Sequence, residues 1–329
     1  MHREQTPSFA FSRERTVTEP FGVESPAYVA IRWGQYVALL LVIGATAFSV
    51  VVLALAQHRL GPTMVARARE RSASLAVGAT LALGATALMR LLAQSYAMGG
   101  EGLTPDPAMI ATLLRATLWG HAWLLEVSAT GVALIAFIAA RRGREHAWKI
   151  AAAASGVLAF SMALSGHAAG MPTRRSVAII ADALHVVGAG GWLGSLLCVI
   201  VVGIPTVAGD EDPRRWNRVG ALVSAFSPSA VSFASLTVVT GVLAAWLHLD
   251  TIPALWQSRY GQVLLLKLAL LSATAGIGLY NWRRVAPGLG SGPAGARLLR
   301  RSSTLELMIG VAVLLITAVL VATPTALDM

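Results

Sequence analysis

Charged residues are scarce in this sequence. Only 13% of the 329 residues are charged and 56% are hydrophobic, whereas soluble domains carry about a quarter charged residues. Such a chain has too little polar surface for a water-soluble domain of its size. The composition therefore predicts an integral membrane protein, with the lipid bilayer as a partner.

Cysteine and the common catalytic motifs are also nearly absent. The single cysteine, Cys198, lies in an apolar run, which excludes a disulfide framework or a cysteine metal cluster within the chain. The sequence contains no GxxxxGK[ST] loop, no HExxH motif and no GxSxG elbow with suitable partners. Direct ATP-driven transport by this chain is thereby disfavoured, and we predict that the protein is not an enzyme.

Two further expectations concern the N-terminus and the net charge of +10. Residues 1–27 are polar and lack an apolar core, which predicts a disordered tail and no cleavable signal peptide. The arginines fall in short loops between apolar runs rather than on a basic face interleaved with aromatic residues. This distribution indicates membrane topology signals and no nucleic-acid partner.

Eight apolar runs have the length of about 20 residues that a membrane-spanning helix needs. They lie near 33–57, 72–97, 117–140, 147–167, 177–203, 218–247, 260–282 and 303–323. The runs are continuous and rich in Ala and Leu rather than alternating, which favours helices over barrel strands. We predict an all-α fold, a polytopic membrane bundle of eight transmembrane helices.

The loops alternate in positive charge, and positive residues are retained on the cytoplasmic side. The loops after the odd-numbered runs hold most of them: Arg59, Arg67, Arg69, Arg71, Arg141, Arg142, Arg144, Lys149, Arg214, Arg215, Arg218, Arg283, Arg284, Arg297, Arg300 and Arg301. The tail, the edge of the first helix and the other loops hold Arg3, Arg13, Arg15, Arg32, Arg115, Arg174, Arg175 and Arg259. Both termini are therefore predicted to be periplasmic.

A short internal similarity favours two four-helix halves, over residues 28–167 and 168–329. Gly120 to Glu126 reads GHAWLLE, and Gly261 to Lys267 reads GQVLLLK. Both halves would run in the same direction, as a parallel repeat. Apolar helices also resemble one another by composition, which leaves the repeat open at this point.

Ionisable residues within the runs are concentrated in the outer, arginine-poor half. An ionisable group within a span costs roughly 2.5–3.5 kcal/mol on insertion scales, so each is a functional hypothesis. The polar residues of this half are Arg90, Gln94, His121, Glu126, Asp182, His185 and Lys267, with His167 and His248 at helix ends.

Asp182, His185 and Trp192 are spaced to share one stripe of the fifth helix. At 1.5 Å per residue, His185 is expected roughly 12 Å from the outer end. A carboxylate one turn away can orient an imidazole and fix which nitrogen is available for a metal. The alternative is a glycine-rich packing face with one satisfied polar pair.

The segment after the fourth run brings His167 and Met171 together in a turn. Imidazole and thioether groups suit copper, particularly Cu(I). Met98, Met109 and Met162 are further thioethers in the outer half, although methionine is also a common apolar filler.

The remaining charges suggest pairing within the bundle. Glu126 is expected to pair with Arg90 or with Lys267, which would make insertion tolerable. Lys267 beside a cation route is also suited to act as a gate.

From His167 onward the sequence resembles the copper resistance protein D (CopD) family of bacterial inner-membrane proteins. The residues that carry the resemblance are Ser165-Gly166-His167-Ala168, Ala183-Leu184-His185, Gly191-Trp192-Leu193-Gly194, Phe226-Ser227-Pro228, Thr240-Gly241, Tyr260-Gly261, Leu264-Leu265-Leu266-Lys267 and Asn281-Trp282-Arg283. Trp119 to Leu125 resembles the matching part of the family's N-terminal half.

The resemblance implies a multi-pass inner-membrane protein that moves copper from the periplasm toward the cytoplasm, often beside a periplasmic copper carrier protein. It also implies copper contacts at His167 and His185, with Met171 and His248 as candidates. The chain departs from the family pattern because it has no methionine-rich or histidine-rich outer tail.

Two other functions stay open. The first is a membrane redox protein that holds b-type haem between histidines such as His121, His167, His185 and His248. The second is a factor that delivers or senses copper without transporting it. Few soft ligands other than Cys198 follow Trp192, which weakens a simple ladder of ligands across the membrane.

Overall fold

The computed structural model of the chain describes residues 25–99, 106–166, 170, 174–248, 251–291 and 293–323. Within these residues, eight helices are long and apolar enough to cross a membrane, and we number them span 1 to span 8. Their bounds are Pro26–Leu60, Pro62–Met98, Leu118–Arg141, Ala147–Leu164, Arg175–Ala208, Arg215–Leu247, Arg259–Val285 and Arg297–Ala322. The prediction of an all-helical, multi-pass membrane protein with eight spans is confirmed.

Consecutive spans run in opposite directions, so each end of the bundle collects half of the connections. Spans 1, 3, 5 and 7 begin at the end that holds Ser25, here called the Ser25 end. Spans 2, 4, 6 and 8 begin at the other end, which holds arginine-rich connections such as Arg141 to Arg144 and is here called the arginine-rich end.

Span 1 begins seven residues earlier than its apolar run predicts. The Ser25 side chain accepts a hydrogen bond from the Tyr28 backbone N–H, and Pro26 occupies the first turn. Both features favour a helix start at this point. Arg32, which was predicted to lie at the helix edge, consequently lies inside the span and is only 3% exposed.

Span 1 forms the centre of the bundle and crosses span 5 at two glycines. A Cβ added to Gly44 would overlap the backbone of Gly194, and one added to Gly194 would overlap the carbonyl of Leu40. Spans 1 and 5 each contain π-helical turns near this crossing, Phe48–Val52 and Gly190–Gly194. Because π-helical turns are rare and often mark functional sites, the region around this crossing is a candidate functional region.

Spans 5 and 6 are also in close contact. A Cβ on Gly188 would overlap the Thr237 hydroxyl, and one on Gly191 would overlap the ring of Phe233. Small residues allow helix backbones to approach in a membrane. The predicted packing face of span 5 is therefore present, and it brings the carbonyl of Thr237 within reach of the span 5 side chains.

The similarity between Gly120 to Glu126 and Gly261 to Lys267 extends to local structure. A short helix precedes each segment, Pro107–Ala116 and Ala254–Gln257. Thr117 and Ser258 then cap spans 3 and 7 by accepting hydrogen bonds from the backbone N–H groups of Gly120 and Gly261. Spans 3 and 7 thus begin with the same kind of hydroxyl cap, and a short helix precedes each of them.

Candidate functional site

A cavity of about 180 Å³ lies among spans 1, 4, 5, 6, 7 and 8, toward the Ser25 end. We call it the central cavity. Most of its wall is apolar, and a few chemically active side chains converge on it. These are Arg32, Tyr36, Met162, Asp182, His185, Trp192, Tyr260 and Lys267.

His185 is held by the backbone of the neighbouring span. Its Nδ1 lies 2.9 Å from the carbonyl oxygen of Thr237. Because a carbonyl can only accept, Nδ1 carries the proton, and in the neutral imidazole Nε2 then carries the lone pair. The sequence predicts this orienting role for Asp182, whereas in the structure the carbonyl of Thr237 holds Nδ1. A neutral imidazole with its other nitrogen anchored in this way is the usual arrangement of a metal-binding histidine.

Gly241 makes room for the imidazole. A Cβ at this position would lie 3.0 Å from Cε1 and 3.3 Å from Nδ1 of His185. The Thr240 hydroxyl is 3.3 Å from the same Nδ1. Thr240 and Gly241 of span 6 thus define the space that the His185 ring occupies.

Met162 of span 4 supplies a thioether to the cavity wall. Its Sδ accepts a hydrogen bond of 3.6 Å from Nη1 of Arg32. Arg32 also donates to the Tyr36 hydroxyl at 2.6 Å and to the Gln35 side-chain oxygen at 3.2 Å. From the sequence, Arg32 is predicted to lie at the helix edge and outside the site. Its spacing from Gln35 and Tyr36, which places all three on one helix face, is the signal that could have found it.

Asp182 and Lys267 bring opposite charges to the cavity. Both side chains line it. The buried Tyr260 lines the cavity one turn of helix from Leu264. With Arg32 nearby, the described wall carries two basic groups and one acidic group. A cation that enters would therefore meet the imidazole and thioether ligands and would also be repelled by the basic side chains.

Glu126 belongs to a separate buried network. Arg90 pairs with Glu126 at 2.9 Å, and the side chains are 1% and 3% exposed. The Gln35 amide donates to the other carboxylate oxygen of Glu126. Of the two pairings that the sequence predicted for Glu126, the one with Arg90 is confirmed. This network links spans 1, 2 and 3, and it adjoins the central cavity through Arg32.

The structure describes only some of the remaining predicted site residues. His167 and Met171 lie outside the described residues, although Gly166 lines the cavity. His248 ends the helix of span 6, and its side chain is not among those described. His121 is exposed, and its Nε2 contacts the carbonyl of Arg115 at 3.0 Å. Among the described residues, no group of three His, Cys, Asp or Glu side chains could hold a metal ion.

Comparisons with known proteins cover most of the chain. Residues 23–177 match the family model described as copper resistance protein D-like, N-terminal domain, and residues 220–320 match the model described as copper resistance protein D. The chain is 27% identical to copper resistance protein D of Pseudomonas syringae pv. tomato, over 89% of this chain and 94% of that protein.

A second relative is the copper transport protein CutJ of Bacillus subtilis (strain 168). The identity is 25% over 78% of this chain, but the match covers 46% of CutJ. This chain thus spans about half the length of CutJ. No solved structure gives a significant match.

Proposed function

Because the chain belongs to the copper resistance protein D family, we propose that it binds copper in the central cavity and carries it across the bacterial inner membrane. Both named relatives are described by copper resistance or copper transport. Uptake from the periplasm toward the cytoplasm is the direction that we propose, with the Ser25 end outside. The positive-inside distribution of arginine supports this orientation.

The proposal rests on the hydrogen bond that fixes the tautomer of His185. Its Nδ1 is engaged by Thr237, which leaves Nε2 as the nitrogen that can bind a metal in a cavity that also holds the Met162 thioether. Imidazole nitrogen and thioether sulfur are suited to copper. His185 and Met162 are therefore the first copper ligands that we propose.

Copper enters, in this proposal, from the segment between spans 4 and 5. Gly166 reaches the cavity, and His167 follows it directly in the sequence. We propose that His167 and Met171 capture the ion, with His248 as a further ligand at the same end of the bundle. A periplasmic copper carrier would deliver to this end.

The size of the cavity favours an ion over a porphyrin. Sites for drug-sized ligands have volumes of about 300–1,000 Å³, and the central cavity has about 180 Å³. Of the histidines considered as haem ligands, His121 is exposed and does not line this cavity. The geometry around His185 therefore supports copper rather than b-type haem.

Copper uptake into proteoliposomes tests the proposal directly. We expect His185→Ala to lower both copper binding and flux by more than about tenfold, since even residues behind metal ligands change affinity by 10–100-fold. His146→Ala is a matched control, because His146 is exposed at the arginine-rich end. Elution as a single species in size-exclusion chromatography establishes that each variant is folded.

The outcomes separate the candidate functions. Binding and flux that the His185 variant retains would refute the proposed site. Tight copper binding without flux in the wild-type protein would indicate a delivery or sensing factor. A Soret band in the visible spectrum of the purified protein would indicate haem.

A further inference from the structure

A second cavity, of about 500 Å³, lies on the arginine-rich side of Trp192 and is open on the side lined by the exposed residues Val231, Val239 and Trp282. Trp192 lines both this cavity and the central cavity, and its side chain is 7% exposed. It lies in the π-helical turn Gly190–Gly194, where added side chains would overlap spans 1 and 6. Trp192 is thus the partition between two cavities that follow one another along the bundle. We call the second one the inner cavity.

The polar groups of the inner cavity come together where spans 7 and 8 meet. Asn281 donates a hydrogen bond of 3.3 Å from Nδ2 to Oε2 of Glu306. Ser303 lies one helical turn before Glu306 and lines the same cavity. A Cβ on Gly278 would lie 3.3 Å from Oε1 of Glu306. The glycine leaves space beside the carboxylate rather than filling it.

Glu306 and Asn281 are both buried, and the described residues provide neither a basic partner for the carboxylate nor a donor for the amide oxygen. Glu306 is 3% exposed and Asn281 is 7% exposed. The ion pairs found in the described part of the chain do not include Glu306. The side-chain Oδ1 of Asn281 is buried and accepts no hydrogen bond from any described residue. Buried carboxylates and amide oxygens are normally paired because leaving them unpaired is costly.

We propose that Glu306 and Asn281 form a second, weaker copper site, which receives the ion after it passes Trp192. This inference rests on the function proposed above. A cation between the carboxylate and Oδ1 of Asn281 would satisfy both acceptors at once. This site is not among those predicted from the sequence, although Glu306 is an acidic residue within the eighth apolar run and is the signal that points to it.

The two sites differ in their ligand atoms, and this difference favours the release of copper from the second site. Nitrogen and sulfur ligands of the central cavity suit copper better than carboxylate and amide oxygens do. An ion passes through a protein only if its last site holds it weakly enough to let it leave. The oxygen ligands therefore suit an exit site, and a continuous ladder of soft ligands is not needed.

Spans 5 and 7 each contain a π-helical turn, one at Trp192 and the other at Asn281. Asn281 begins the π-helical turn Asn281–Val285, and Trp192 lies in the π-helical turn of span 5. Such turns are found preferentially at functional sites. The wider helix turns thus occur at the partition and at the proposed exit site, which is consistent with a route that connects them.

Copper binding isotherms and uptake by proteoliposomes test the inference with Glu306→Gln. We expect the wild-type protein to bind a tight and a weak class of copper. The Glu306 variant should keep the tight class, lose the weak one and transport at least several-fold more slowly. Glu145→Gln is the matched control, because Glu145 is 81% exposed at the arginine-rich end.

Three results would overturn one of the two proposals. A Glu306 variant with both classes of copper and normal flux would overturn the exit site, even if His185→Ala abolishes binding and flux. Normal binding and flux in the His185 variant would instead refute the copper site proposed in the central cavity. If Glu306→Gln does not fold, Gly278→Ala is the alternative variant, because its Cβ crowds the same carboxylate. This variant should bind the weak class of copper less tightly. An isotherm identical to that of the wild-type protein would overturn the inference.

Discussion

At the scale of single residues, one imidazole depends on its neighbours in another helix. His185 comes from span 5, but its protonation pattern and its space are set by Thr237 and Gly241 of span 6. The useful property of His185, a lone pair on Nε2, is therefore created by a contact between two spans. Two substitutions near this histidine test how the cavity works.

The first prediction concerns the room that Gly241 provides. Gly241→Ala places a Cβ about 3 Å from the imidazole, so the ring must move away from its carbonyl anchor. We expect copper affinity to fall by about tenfold or more, as for other residues that orient metal ligands. An isotherm of copper binding to the purified protein measures the change.

Gly276→Ala is the control for this substitution. A Cβ at Gly276 would meet no atom within 4 Å, so only the general effect of alanine in a helix remains. Equal copper affinities of the two alanine variants would show that the position of the imidazole does not matter for binding.

The second prediction concerns like charge in the central cavity. Lys267→Met removes a positive charge from the wall of the cavity that holds the proposed ligands. Charges about 6 Å apart interact by a few kcal/mol at an effective dielectric constant of 20. We expect tighter copper binding and slower release, measured as a lower Kd together with reduced uptake. Weaker binding by this variant would indicate that Lys267 supports the site instead of gating it.

At the scale of helices, a buried ion pair joins spans 2 and 3. Arg90 and Glu126 are almost fully enclosed, so removing one partner leaves the other charge buried. Breaking such a pair costs about 3–5 kcal/mol. Glu126→Gln should therefore lower the Tm of the detergent-solubilised protein by many degrees.

A double substitution separates pairing from the mere loss of a side chain. Arg90→Met combined with Glu126→Leu should recover much of the stability, because no uncompensated charge remains. Glu145→Gln, which breaks an exposed pair with Arg69, should change the Tm little. A double variant that is less stable than Glu126→Gln would contradict this account.

At the scale of the whole molecule, the orientation in the membrane can be tested by labelling. The wild-type Cys198 is buried, so labels should reach only introduced cysteines. Ala108→Cys lies at the Ser25 end and Glu145→Cys at the arginine-rich end, both at exposed positions. We expect a membrane-impermeant maleimide to label position 108 in intact spheroplasts and position 145 only after permeabilisation. The reverse pattern would refute the orientation given by the positive-inside rule.

The sequence predicted the spans well because hydrocarbon imposes a strict requirement. Every backbone polar group must be satisfied internally, and a long apolar helix is the simplest way to do so. The ends were less accurate where capping decided them, as at Ser25 and Pro26. That difference of a few residues moved Arg32 from the edge of the bundle into the wall of the cavity.

The composition and the order of residues by themselves determined that this chain forms eight apolar helices with ionisable groups inside, and motifs determined its family resemblance. Only the tertiary structure decided which groups meet. It paired Glu126 with Arg90 rather than Lys267, anchored His185 on Thr237, and brought Asn281 to Glu306 beyond Trp192. The physical reason is that periodicity fixes the face of a helix on which a residue lies, whereas its partner depends on how helices pack against each other through small residues such as Gly44 and Gly194.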